Sequence, residues 1–295
     1  MAIHENAGTT GFSFLKVDFA ARSAALGNSF TALADDANAV FYNSSSLAQL
    51  SRPQIATTYM SYIDDIQCGS VVAAIPMRNG RTVALFSKFF TATEPRTLMN
   101  NGDYVGTDGT FGMSNIVIGI SDNRLIMESL NIGLALKYIR ESLDDNSASA
   151  ITIDASLLHQ TINKNIKVGI ALKNLGKQLT YYTSDKYNET LPTMVTVGFK
   201  YQPTEKLFIL LDINKPFKND FNGSMGLEYK LHRMFSLRTG YKSNGKDWRT
   251  GGDGSTFAGL SFGAGFKLYK FAVDYAIVSY GDLGYLNQIS LTYKF

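Results

Sequence analysis

From residue 53 to the carboxyl end, apolar and polar side chains alternate with a period of two. Ile116, Ile118 and Ile120 alternate with Asn115, Val117 and Gly119; Leu130, Ile132, Leu134, Leu136 and Tyr138 alternate with Asn131, Gly133, Ala135 and Lys137. The same rhythm runs through Val195–Tyr201 and Phe271–Ile277. Period two marks β-strands whose two faces meet different surroundings. The pattern predicts about fourteen strands, at 54–63, 67–77, 82–91, 112–121, 130–140, 150–159, 166–174, 193–202, 206–213, 223–231, 235–242, 257–268, 271–280 and 285–295. Most are near the ~9–11 residues that cross a bilayer at a tilt.

Alternation alone does not say which face is inside. A soluble sandwich turns its apolar face to a core, and a membrane barrel turns it to lipid. The connections decide. The links at 78–81 (with Asn79-Gly80, a strong hairpin signal), 203–205 and 232–234 are tight, with 122–129 somewhat longer. The links at 92–111, 175–192 and 243–256 are long and fall in the other register. Short turns on one rim and long loops on the other are how outer-membrane barrels are built. The expected fold class is therefore all-β: a transmembrane antiparallel β-barrel with both termini on the short-turn, periplasmic rim. The last strand fits, with Tyr285, Ile289, Leu291, Tyr293 and Phe295 on its outward face and the terminal aromatics in an interfacial girdle.

Residues 11–50 lack that alternation. They are rich in Ala, Ser, Asn and Asp, with Phe12, Phe14, Phe19, Phe30 and Phe41 as apolar anchors. Asp35 or Asp36 can cap a short helical turn at 37–41, and Asn43 or Ser44 another at 45–50. Because a fourteen-strand barrel is wide enough for water or a plug, the expected division is 1–50 as a partly helical plug, or hatch, and 51–295 as the barrel, forming one structural unit. The plug is expected to gate the conduit, and an apolar cavity is expected between plug and wall.

Composition narrows the alternatives. Charged residues are 18% of 295, below the usual ~25%. The sequence has no apolar run of the ~18 residues that a membrane helix needs. A net charge of +3 is too small to argue for nucleic acid. Residues 1–11 are polar and show no signal peptide, so export is inferred from the barrel. Cys68 is the one cysteine, which leaves no cysteine metal site, and no cofactor is expected.

Charges on inward faces need partners. A hairpin centred near Asp145 sets Lys137 opposite Asp154, and the turn at His232 sets Glu228 opposite Arg238. Both are expected as structural ion pairs in the lumen. No catalytic set emerges: His4, His159 and His232 are far apart, and Ser156 faces away from His159. Gly251-Gly252-Asp253-Gly254 reads as a flexible loop without calcium-hand spacing. Gly259, Gly263 and Gly265 read as strand positions where the wall thins, and Trp248 as a rim anchor.

The stretch 20–50, AARSAALGNSFTALADDANAVFYNSSSLAQL, resembles the N-terminal signature of the FadL-like outer-membrane proteins, in particular the PorV/PorQ branch. The matching positions include Arg22, Gly27, Phe30, Asp35, Asp36 and Asn43, and Phe41 stands in the aromatic pair before Asn43. The closing Leu291, Tyr293 and Phe295 match that branch's last strand. The family's Asn-Pro-Ala is Asn43-Ser44-Ser45 here, which implies a less rigid turn. The resemblance implies passive passage of hydrophobic small molecules such as long-chain fatty acids across the outer membrane. The alternative it implies is a PorV-type component of type IX secretion that docks the C-terminal domains of secreted proteins on the long loops. The expected partners are outer-membrane lipid and a hydrophobic ligand, with secreted proteins or secretion machinery under the alternative.

Overall fold

The computed structural model describes residues 9–63, 66–249 and 251–295, so His4 lies outside the described residues. Fourteen antiparallel strands close into a single barrel. They are β1 (Gln54–Ser61), β2 (Gln67–Pro76), β3 (Arg81–Asn100), β4 (Asp103–Met127), β5 (Leu130–Leu143), β6 (Asn146–Gln160) and β7 (Ile166–Thr180). There follow β8 (Met194–Tyr201), β9 (Leu207–Pro216), β10 (Asn222–Lys230), β11 (Phe235–Lys242), β12 (Leu260–Leu268), β13 (Phe271–Ser279) and β14 (Tyr285–Lys294). Each strand pairs with its sequence neighbours, and β14 closes on β1 with Tyr293 opposite Ile55 and Leu291 opposite Thr57. The Phe295 N–H donates to the Pro53 carbonyl at 3.0 Å. Tyr293 packs against Phe271 and edge-on against Phe295. Closure pairs every strand of the wall on both sides, and the outer edges of β3 beyond Thr91 and of β4 before Met113 stay open.

The barrel is apolar outside and polar inside. Ile118, Leu134, Phe262, Ile289 and Leu291 point outward and are exposed. The intervening Asn123, Lys137, Asp154, Thr196, Asp212 and Ser290 point inward and are buried. No helix among the described residues is long and apolar enough to cross a membrane.

Three expectations about connections are corrected. Residues 92–111 are not a loop: β3 and β4 run on through them as a long hairpin. Its tip is Asn101-Gly102, both at positive φ (52° and 93°), as a two-residue hairpin turn requires. Twenty residues in β3 exceed a membrane crossing by about ten. The hairpin therefore projects on the order of 30 Å beyond the barrel. Likewise β7 extends to Thr180, beyond its expected end. The β4–β5 link shrinks to Glu128-Ser129, as tight as the others on its rim. Gly259 lies before β12 in a turn at φ +89°, not within the strand.

The described residues before β1 run through the lumen as far as Leu50, and residues 51–53 are exposed at its end. They form 3-10 turns at Ser13–Lys16, Ala37–Phe41 and Ser44–Gln49 and one short α-helical turn, α1 (Ala21–Ala24). Asp36 caps Ala37–Phe41 by accepting from the Asn38 N–H at 3.0 Å. Asn43 stands at the start of Ser44–Gln49 but makes no side-chain cap there; its amide nitrogen bridges the Thr31 and Leu157 carbonyls instead.

Candidate functional site

The lumen wall holds the N-terminal segment through polar side chains that the alternation pattern points inward. The Ser290 hydroxyl accepts from the Ala21 N–H at 2.8 Å, and Ser261 from the Gly27 N–H at 3.1 Å. One Asp212 carboxylate oxygen accepts from the N–H groups of Phe30 (3.2 Å) and Thr31 (3.1 Å). Ser156, on β6, accepts from the Ser45 N–H and pairs with the Ser44 hydroxyl. His159 points elsewhere and meets the Ser129 carbonyl.

The strongest tie is ionic. Arg22 on α1 grips Glu228 of β10 with two nitrogens, at 2.8 and 3.0 Å. Its remaining donor reaches Asp36 at 3.1 Å and Asp35. Glu228 also accepts from Arg238 at 2.6 Å, and Arg238 donates to Asp274 on β13 at 2.6 Å. Bidentate guanidinium–carboxylate pairs of this kind combine charge with fixed geometry. Glu228 stands opposite Arg238 in the β10–β11 register. Lys137 and Asp154 are bonded at 2.7 Å, but not as directly opposed residues. The β5–β6 turn is Asp144-Asp145, which sets Thr152 opposite Lys137 and Asp154 opposite Ala135, so the pair forms on the diagonal. Asn174 completes that cluster by accepting from Lys137 at 2.6 Å.

Glycines follow the segment around the wall. A Cβ on Gly240 would lie 2.1 Å from the Gly27 nitrogen, and one on Gly226 would lie 2.6 Å from the Leu26 carbonyl oxygen. Gly169 and Gly198 meet Thr31, Gly133 meets Ser45, and Gly263 meets Ala25 in the same way. Gly27 itself has φ +62° and sits against the Tyr241 backbone, so a side chain there is excluded twice. Sequence reading marked Gly263 but missed the rest. A glycine at an inward strand position was the available signal.

On the other side the contact is aromatic. Phe14 and Phe19 meet Phe90 of β3 edge-on at 5.3 and 5.2 Å, and Phe41 meets Phe86 at 5.7 Å. Phe30 is fully buried, edge-on to Tyr42, with the Arg22 guanidinium over its ring. Lys88 places its ammonium 4.6 Å from the Phe41 ring centre and 5.1 Å from that of Phe19.

Between this segment, the wall and the long-loop end lies a cavity of about 1090 Å³. Phe14, Phe41, Phe86, Phe90, Val117 and Met113 form its apolar part. Lys88, Lys137, Lys173, Asp18, Asp154 and Asp212 also line it, so it is amphipathic and not the apolar cavity expected from sequence. The inward face of a strand carries lysine and aspartate at the same period as phenylalanine, and only the register decides which of them surround the void. Asp18, in the N-terminal segment, bonds Lys242 at 2.8 Å. Burial alone would raise its pKa, but the charges of Lys242, Lys173 and Lys88 hold it below the ordinary carboxylate value. Trp248 is no rim anchor: its indole stacks on Tyr280 at 3.9 Å and lines the cavity. Cys68 is buried in β2, facing inward.

No protein-family model and no curated protein matches this chain. Solved structures do. The toluene transporter TbuX of Ralstonia pickettii superposes with a TM-score of 0.62 at 13% identity, covering 94% of this chain and 98% of its own. The toluene transporter TodX of Pseudomonas putida gives 0.61 at 11% identity, with 93% and 96% covered. A FadL homologue of Pseudomonas aeruginosa gives 0.59 at 10%, with 93% and 98% covered. Likeness at these identities shows the fold.

Proposed function

We propose that this chain is an outer-membrane barrel for passive passage of hydrophobic small molecules such as long-chain fatty acids. Residues 51–295 form the wall, residues 1–50 act as its plug, and both termini face the periplasm. The observation that carries the reading is the aromatic-lined cavity inside a barrel whose outer surface is apolar. An outward apolar face is stable in lipid and costly in water, which supports the membrane placement. The structural relatives described as toluene transporters support a hydrophobic permeant. Phe14, Phe86 and Phe90 offer surface to an apolar ligand where the segment meets the wall, so a small shift there opens the path. Of the motif residues, Arg22, Gly27, Phe30, Phe41 and Asn43 hold the plug against the wall, and Asp35 and Asp36 brace Arg22 from within the plug. The secretion-docking alternative gains nothing from those relatives.

The test uses Trp248, the one tryptophan, as its reporter. Toluene or oleate titrated into protein in a neutral detergent changes its emission in a saturable way, and Phe90→Ala shifts the titration at least about fivefold, within the effect of deleting one buried ring. Proteoliposomes then show uptake of the same solute above protein-free vesicles. No saturable change and no flux would refute the proposal.

A further inference from the structure

On the far side of the N-terminal segment from the cavity, the short-turn end of the lumen is basic. The inward position nearest the short-turn end is lysine on five strands: Lys167 on β7, Lys200 on β8, Lys230 on β10, Lys267 on β12 and Lys294 on β14. Each continues the inward row of its strand: Lys167 follows Gly169 and Ala171, Lys200 follows Thr196 and Gly198, and Lys230 follows Gly226 and Glu228. All five are half-buried or exposed.

These lysines are close to one another. Lys167 stands opposite Lys200 in the β7–β8 register. Lys200 and Lys230 converge on the Phe208 ring from two strands, with ammonium groups 4.8 and 4.3 Å from its centre. Lys267 and Lys294 share a small pocket of about 50 Å³ with Arg22, Asp35 and Asp36. Counting the ionic network behind them, five lysines and two arginines face four carboxylates, an excess of three positive charges. The turns around this mouth add exposed Arg52, Arg78, Lys164, Lys206, Arg233 and Lys270 against Glu128 and Glu205. On the opposite rim exposed carboxylates such as Asp103, Asp108, Asp145, Asp185 and Asp253 slightly outnumber exposed bases such as Arg96, Lys177, Lys186, Lys218 and Arg249. A net charge of +3 thus hides a separation of charge along the barrel axis.

We propose that this basic mouth docks an acidic polypeptide segment of a partner protein. Two features select that occupant. First, the five lysines face the lumen, out of reach of lipid headgroups in the surrounding bilayer. Second, they are spread along the wall: from β7 to β14 is seven strand steps, about 34 Å at ~4.8 Å per step. A single phosphate or carboxylate meets two of these lysines at most. An extended acidic chain presents a carboxylate on one face about every 7 Å and meets several at once. Lysine suits this role as a mobile point charge without a fixed bonding fork. On the periplasmic side, such a partner is placed to receive what leaves the barrel, although the docking itself does not depend on transport.

The experiment uses the full chain in nanodiscs of uncharged phosphatidylcholine. The probe is a fluorescent octaglutamate peptide, with octalysine as its control, read by anisotropy at several salt concentrations. Octaglutamate binds, octalysine does not, and binding weakens steeply with salt, as for clustered surface charge. Lys200→Gln/Lys230→Gln/Lys267→Gln weakens it at least about tenfold, the corresponding arginine triple retains it, and Arg78→Gln/Lys164→Gln on the rim changes it no more than about threefold. Unchanged heat-modifiable migration shows that the variants stay folded. The proposal is overturned if octaglutamate fails to bind, or if the glutamine triple binds like wild type. It is overturned equally if inorganic phosphate or phosphatidylglycerol vesicles displace the peptide at matched charge concentration, which would make the mouth a small-anion or lipid site.

Discussion

Arg22→Met tests what holds the N-terminal segment in the lumen. Methionine keeps most of the volume and the helical propensity of α1, so the change removes charge with little else. Arg22 bonds Glu228 bidentately and also reaches Asp35 and Asp36. Without it, Arg238 still holds Glu228 and Asp274, while Asp35 and Asp36 lose their bonded cation and keep only Lys267 and Lys294 in the same pocket. Removing one partner of a buried ion network costs about 3–5 kcal/mol, because the remaining charges stay desolvated and repel. At 1.4 kcal/mol per factor of ten, the ratio of docked to undocked segment falls by about 10²-fold to several thousandfold. Amide hydrogen exchange followed by mass spectrometry reads this directly. Peptides covering 20–36 lose that much protection, while those of β3 to β6 keep theirs. Arg22→Met/Glu228→Gln recovers at least half of the loss, since one of the stranded carboxylates is neutralised. The reasoning is refuted if protection in 20–36 falls less than threefold, or if the whole barrel loses it equally.

Two further outcomes follow from the same geometry. Gly240→Ala drives a Cβ into the backbone of Leu26 and Gly27, whereas a Cβ on Gly223 meets nothing nearer than 3.7 Å. The first costs about 1–3 kcal/mol of overpacking and the second almost nothing, which thermal unfolding in detergent distinguishes. Asp18 titrates below the ordinary carboxylate value, so its tie to Lys242 stabilises the segment at neutral pH and loses that contribution as pH falls through the lowered folded value. Wild type is therefore better protected than Asp18→Asn at pH 7, and the difference closes on acidification below about 4. A gap that widens in acid would reverse the assigned sign.

The strands were legible because an apolar outer face and a filled lumen impose the same alternation along every one of them. Ile118 and Leu134 repeat that signal many times over. The long β3–β4 hairpin was not legible by the same rule. Beyond the closed wall neither face is constrained, so Thr93, Thr97, Thr107 and Thr110 pair as strands without apolar alternation. The Asn101-Gly102 turn was the better guide there. The Glu228–Arg238 contact lies across a four-residue turn, where sequence distance nearly fixes spatial distance. The Arg22–Glu228 contact spans 206 positions and was beyond any local pattern. The charged part of the cavity was hidden for the same reason, because it depends on where residues 9–50 lie against all fourteen strands.

The two kinds of anchor also bear on whether the segment moves as one body. Its polar ties fall on β6, β9, β10, β12 and β14, through Ser156, Asp212, Glu228, Ser261 and Ser290. Its contact with β3 is through rings: Phe14 and Phe19 on Phe90, and Phe41 on Phe86. Hydrogen bonds and ion pairs in a confined lumen are directional and are lost when broken. Ring contacts are not directional, and an apolar ligand in the cavity replaces them nearly in kind. Under the proposed function a ligand therefore has differential affinity for a state in which the β3 side has opened and the clamped side has not. Phe14→Ala imitates that state, removing an edge contact of about 0.5–1.5 kcal/mol along with the buried area of a ring. Exchange then accelerates in 12–19 and leaves 20–36 protected, the reverse of the Arg22→Met pattern. If both substitutions release both stretches together, the segment is a single cooperative unit, and ligand entry requires breaking the ionic clamp as well.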